Sequence, residues 1–161
     1  TGEAHHVVFE TCGKTWGENM ARRFQKETSL YYETDFEALP MSMFSLLFKN
    51  FWLRHGWGEL EIDWEQGYRD GVFEVTVRNP AFSSIFGADE GLNDDIFAGV
   101  LGAFFSAFAA RELQCLQTEE DRSGELWTSR FVLAVPERLS QVPDMVLSQK
   151  THQDIVQAVK S

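Results

Sequence analysis

Cysteine and histidine are scarce in this sequence. Cys12 and Cys115 are its only thiols, and neither stands in a pair with zinc-binding or redox spacing. The chain therefore offers no disulfide framework and no Cys-x-x-Cys knuckle. Reduced thiols, and no charged-then-apolar leader, set the expectation of a cytoplasmic protein; the chain begins at Thr1, which leaves open what precedes it. The histidines are His5, His6, His55 and His152, and no serine sits in a Gly-x-Ser-x-Gly elbow, so a hydrolase triad has no footing. No apolar run reaches the roughly 18 residues that a membrane-spanning helix needs. Positive charge is also thin. Fourteen basic residues face 25 acidic ones for a net charge of −11, which repels a phosphate backbone. The densest basic spot, Arg22, Arg23 and Lys26, has the spacing of a solvated helix face. Neither nucleic acid nor a membrane span is expected.

Apolar material is plentiful. With 161 residues, 14 Phe and 5 Trp, the chain can fill the core of one domain without a metal or disulfide. Val8, Cys12, Trp16, Met20 and Phe24 recur every four residues and predict an amphipathic helix from His6 to Phe24, with Cys12 in its core stripe. Ser29 to Pro40 predicts a turn with a short helix near Asp35 to Leu39. Pro40 then starts, and Gly56 stops, an almost wholly apolar helix from Met41 to His55. After Gly58 the period drops to two. Leu60, Ile62 and Trp64 alternate with Glu59, Glu61, Asp63 and Glu65, predicting a strand with one wet, acidic face. A turn over Gln66 to Gly71 leads to a second, antiparallel strand over Val72 to Arg78. Residues 81 to 95 predict a long loop or irregular helix; its carboxylates, Asp89 and Glu90 among them, lack the order of a calcium loop.

Ile96 to Arg111 predicts a central helix, in which Gly99, Gly102, Ala103, Ser106 and Ala107 permit close approach to a sheet or a partner helix. Strands follow over Glu112 to Thr118 and Leu126 to Val135, and Pro136 ends the sheet. The predicted fold is α+β, an antiparallel four-stranded sheet packed against helices in the order ααββαββ. Residues 1–136 form the domain. Residues 137–161, with few large apolar side chains, read as a C-terminal extension not needed for folding.

Five segments occur in an order that resembles the 4-vinyl-reductase-like domain family, a small-molecule-binding fold related to TRAPP tethering subunits. They are GKTWGENMARRF (Gly13 to Phe24), GWGEL (Gly56 to Leu60), VTVRNPAFSSIF (Val75 to Phe86), FAGVLGAFFSAF (Phe97 to Phe108) and LQCLQTEEDRSGELWTSRFV (Leu113 to Val132). The resemblance implies a regulatory or scaffolding module that holds a small hydrophobic ligand. Metal-binding members carry cysteines around the last hairpin. Here the matching positions, near Asp121 and at Ser129, are not cysteines, so no metal is expected. A weaker similarity, to the D subunit of bacterial cellulose synthase, implies an assembly scaffold. The reductase activity in the family name finds no nucleotide fingerprint in this chain, and no cofactor is expected.

The candidate ligand-binding residues are aromatic: Phe44, Phe48, Phe51 and Trp52 on one helix, Trp57 after it, and Phe97, Phe104, Phe105 and Phe108 on another. They either line a pocket between helices and sheet or fill that space as core, and the sequence leaves both open. The apolar excess on the helices around Phe48 and Trp52 sets the further expectation of a homodimer, and the acidic surface that of a protein partner.

Overall fold

The structure, a computed structural model, describes residues 2–81 and 94–161, with side chains from residue 6 onward. Most of the loop expected at 81–95, with Asp89 and Glu90, lies outside the described residues. Helix α1 spans Gly2–Tyr32 and a 3-10 turn follows at Phe36–Ala38, its Glu37 N–H capped by the Asp35 carboxylate. Helix α2 is Met41–Arg54, strand β1 Glu59–Ile62, helix α3 Trp64–Asp70 and strand β2 Phe73–Arg78. Helix α4 is Asp95–Ala109; strands β3 and β4 are Gln114–Asp121 and Thr128–Ala134; helices α5 and α6 are Val142–Leu147 and His152–Lys160. Among the described residues no helix is long and apolar enough to cross a membrane.

The fold is α+β, as expected. One antiparallel sheet carries the strands in the order β1-β2-β4-β3. Leu60 lies opposite Val77, Val75 opposite Phe131, and Leu116 opposite Val132. β3 extends beyond the predicted end at Thr118 because the register shifts between Gln117 and Glu119, an irregularity that lets pairing resume through Asp121.

Two predicted details are corrected. The strand expected to run on to Trp64 and Glu65 stops at Ile62, because the Asp63 carboxylate accepts the Gln66 N–H at 2.9 Å and so caps α3. Gly71, at φ 71°, closes that helix in the left-handed region. Asp63 and Glu65 thus leave the acidic strand face, and Glu61 on it pairs with Arg78 at 2.8 Å. The second correction concerns α1. The predicted stripe splits: Val8 is 56% exposed, Trp16 45%, and Cys12 is exposed with them, whereas Met20 and Phe24 are buried as expected. The buried face carries Gly13, Gly17, Met20, Ala21, Phe24 and Thr28, which also recur at helical spacing.

This face of α1 lies directly on α4. A Cβ at Gly13 would stand 2.3 Å from the Ile96 carbonyl oxygen, one at Gly17 2.4 Å from that of Val100, and one at Gly99 2.5 Å from that of Glu10. No side chain fits between these backbones. On its other side α4 approaches the sheet, with Gly102 against the start of β3. The small residues of α4 thus serve both contacts, with α1 and with the sheet.

Helices α1, α2 and α4 cover one sheet face, from which Leu60, Val75, Val77, Cys115, Phe131 and Leu133 enter the aromatic core. The opposite face is covered as well. Val132 and Ala134 point there with Val72, and Leu139, Val142, Ile155, Val156 and Val159 close over them. Phe131 to Ala134 are therefore buried in succession, as happens in a strand covered on both faces. The core continues past residue 136. Its far layer is built from medium-sized Val, Ile and Leu side chains, so the count of large apolar residues underestimates it. α6 is fixed by a reciprocal capping box between Thr151 and Asp154.

Two outcomes follow. Gly17→Val forces α1 off α4 and is expected to cost about 3 kcal/mol or more in urea unfolding, whereas Cys12→Ala, on the exposed face, should leave the midpoint within about 0.5 kcal/mol of the parent. Truncation after Arg138 removes Val142, Ile155, Val156 and Val159, each worth about 1.5–3 kcal/mol when buried. That sum rivals the ~5–15 kcal/mol stability of a whole domain, so the shortened chain should lose its cooperative melt by circular dichroism.

Candidate functional site

The aromatic residues of α2 and α4 recur at spacings of three and four, so each helix turns one ring-bearing face inward. The two faces meet. Phe48 stacks on Phe104 with centroids 4.3 Å apart, and Phe105 stands edge-on to Phe48 at 5.1 Å. Phe24 of α1, outside the predicted set, enters between them and touches Phe44, Phe51 and Phe104 at 5.3–5.6 Å. Trp52 is fully buried against Phe97 and Trp57, and Trp57 stacks on Trp16 at the rim. Phe48, Phe51, Trp52, Phe97 and Phe104 are thus packed on one another. Phe48 and Trp52, the expected dimer face, are spent on the core of a single chain.

Open space begins at one end of this core. A cleft of about 730 Å³ is bounded by the 3-10 turn, α2, α3, the last turns of α4 and the ends of β2 and β4, within the size range of small-molecule sites. Three predicted residues, Phe44, Phe105 and Phe108, reach its wall. Trp64 shares that wall: its ring meets Phe44, Phe73 and Phe105 at 5.7–6.0 Å, and its indole N–H donates to Ser45 Oγ at 2.7 Å. Tyr68 stacks over Trp64, one helical turn on. Gly67 lets the Phe73 ring close on α3, since a Cβ there would lie 2.0 Å from it. Arg111 lines the cleft from beyond the end of α4. Trp64 and Tyr68 lie where the sequence predicts the end of a strand and the turn after it, and Phe73 stands on the expected second strand without a sign that it faces a cleft. The signal that finds Trp64 and Tyr68 is Asp63 three residues before Gln66, with Gly71 as the stop.

Two other depressions differ in kind. One, of about 780 Å³, lies between the C-terminal ends of α1 and α2 and is drawn from those two helices alone. The other, of about 450 Å³, runs over the small residues of α4 between α1 and the start of β3.

Polar chemistry lies deeper. Asp94, just ahead of α4, receives a hydrogen bond from Ser129 Oγ, and its N–H donates to Gln117 Oε1 at 2.9 Å. Ser129 is therefore committed to Asp94. Asp121 accepts from the Ser123 N–H and hydroxyl, which hold its carboxyl below the usual carboxylate range. Among the described residues no three His, Cys, Asp or Glu side chains converge as a metal site. Burial pushes the Cys115 thiol far up, out of reach of thiolate chemistry.

One constellation has the order of nucleophile, base and orienting carboxylate. Thr118 Oγ1 lies 2.7 Å from His152 Nδ1, and His152 Nε2 lies 3.3 Å from Glu74 Oε2. Both Thr118 and His152 are buried, Thr118 also bonds the Arg130 carbonyl at 3.0 Å, and neither lines a described cleft. A substrate has no route to them. The cluster instead ties α6 to the sheet, assisted by Lys160, which pairs with Glu74 at 3.0 Å. Nothing in the sequence spacing of Glu74, Thr118 and His152 announces it.

No family model matches this chain, and no curated protein matches it.

Burial pulls the His152 imidazole below its ordinary value; Glu74 and Glu119 oppose this and Arg130 reinforces it. The folded state therefore resists protonation that the unfolded chain accepts near pH 6.5. The stabilising contribution is complete above that pH and is lost as pH falls through it toward the lower folded value. Stability from urea melts should decline as pH falls below about 6.5, by up to ~1.4 kcal/mol per pH unit. His152→Gln should flatten that part of the profile.

Proposed function

We propose that this chain is a non-catalytic binding module of regulatory or scaffolding type, holding a small apolar molecule in the cleft between α2, α3 and α4. The observation that carries the reading is the contrast between the two ends of one aromatic cluster. Its interior is filled by Phe24, Phe48 and Phe104, while Phe44, Trp64, Phe105 and Phe108 present ring surface to open space. Apolar walls with few polar groups suit a ligand held by shape and desolvation. Glu37 is the one carboxylate on that lining and has no nucleophile beside it there, and among the described residues the triad-like Thr118, His152 and Glu74 lie apart from the cleft, with Thr118 and His152 buried. The family resemblance points the same way. A homodimer enters this reading only through side chains open to solvent, such as Leu46 and Leu53 of α2; a protein partner on the acidic surface would meet Glu59 and Glu61 of β1.

N-phenyl-1-naphthylamine, a neutral dye that brightens in apolar sites, should bind the purified protein saturably with a Kd in the micromolar range, about −8 kcal/mol. Ala109→Trp adds a ring at an exposed position of the cleft wall without removing core, and should weaken the dye at least tenfold while leaving the melting temperature nearly unchanged. Absence of saturable binding, or equal binding by the variant, counts against the cleft.

A further inference from the structure

We propose that the cleft selects an amphipathic anion: an apolar body lying on Trp64, Phe105 and Phe108 that ends in one carboxylate held by Arg111. This rests on the reading of the cleft as a ligand site and adds the chemistry of what it takes.

Arg111 reaches the rim through a backbone departure. Helix α4 ends at Ala109, and Ala110 adopts φ 53°, ψ 22° in the left-handed region, with no side-chain gain of its own. Alanine is disfavoured there, where glycine or asparagine is the usual choice. The turn ends the apolar helix and brings residue 111 to the cleft, beside Phe108 and Ala109.

Its partners, or their lack, set the charge preference. The chain has 25 acidic residues against 14 basic ones, and among the described residues five of the other eight arginines pair with a carboxylate. Arg23 pairs with Glu27, Arg78 with Glu61, Arg122 with Glu120 and Arg130 with Glu119. Among the described residues Arg111 joins no ion pair, although Glu112 follows it directly and Glu37 lines the same cleft. A planar guanidinium with donors to spare, at the edge of an apolar wall, matches a carboxylate in two parallel hydrogen bonds. Arg111 is exposed at the rim, so the gain from the contact is the modest one of a solvent-accessible pair.

The competing guest is a cation resting on the ring faces. Arg111 opposes it by like-charge repulsion at the mouth, and Glu37 on the same lining is the group that would favour it. The net charge of −11 attracts cations to the whole surface without preference for this site, and that field is screened within about 10 Å at 0.1 M salt, whereas a contact pair at the rim acts well inside that distance. Local chemistry therefore outweighs the global field.

The test displaces bound N-phenyl-1-naphthylamine with three eight-carbon chains that differ only in the head: octanoate, octanol and octyltrimethylammonium. At 0.1 M salt octanoate should displace the dye at several-fold lower concentration than octanol, the gain expected of one solvent-accessible charged contact. Octyltrimethylammonium should be the weakest. Arg111→Gln should bring octanoate to within about twofold of octanol, each read relative to the dye affinity of that same variant, and Arg111→Lys should restore part of the gap. If octanoate shows no advantage, if its advantage survives Arg111→Gln, or if the ammonium chain binds best, the anion preference is wrong and the dye site stands. If the dye itself fails to bind, the ligand-site reading falls and this proposal falls with it.

Discussion

Two helix backbones touch where Gly13 and Gly17 of α1 meet Ile96, Gly99 and Val100 of α4, and the placement of the other elements on that face depends on the contact. Helices separated by ordinary side chains lie 8–10 Å apart; here a single methyl group at Gly13 or Gly17 would collide with a carbonyl oxygen. Because α4 also rests on the start of β3 through Gly102, the closeness of α1 fixes the thickness of the whole layer. Phe24, one face further along α1, reaches the centre of the α2 and α4 rings only because α1 lies so low.

That geometry explains why one end of the aromatic cluster is solid and the other open. Near the glycine contact the layer is thin, and rings from three helices fill it. The filling is tight enough to bury the Trp52 indole N–H without an acceptor, a cost of about 1–3 kcal/mol that the surrounding rings must offset. Toward the end of α4 its partner α1 presents Gln25 to the cleft in place of a ring. The short helix α3 stands across the gap as a wall, carrying Trp64 and Tyr68 on successive turns.

The sequence shows this architecture unevenly, for physical reasons. The change from helical to alternating period after Gly58, and the stop at Pro136, mark real boundaries, and the α+β class with its antiparallel sheet is legible from them. The packed face of α1 is legible only at Met20 and Phe24, because a hydrophobic pattern scores large side chains and the contact with α4 is made by Gly13 and Gly17, which have none. Val8 and Trp16, earlier in the same pattern, are what the glycine contact leaves outside. The layer formed by α5 and α6 is hidden differently: Val142, Ile155, Val156 and Val159 are individually modest, and only the two-sided burial of β4 shows what they cover. Of the candidate site, Phe44, Phe105 and Phe108 were within reach of the sequence. Trp64 and Tyr68 required recognising Asp63 as a helix cap, and Arg111 required the position of Ala110.

The α1–α4 contact also sets an order of events during folding. Gly13 and Gly99 are more than half the chain apart, so closing that loop is entropically expensive and contributes nothing until α4 has been made. On a ribosome α1 therefore emerges well before its partner surface exists. In that interval the helix depends on its own neighbouring pairs, Glu10 with Lys14 at 3.1 Å and Arg23 with Glu27 at 2.6 Å, each worth only a few tenths of a kcal/mol. Its glycines, which make the final contact possible, weaken it as an isolated helix by about 1 kcal/mol apiece. The same residues that hold the finished protein together thus delay the moment at which its first helix becomes stable.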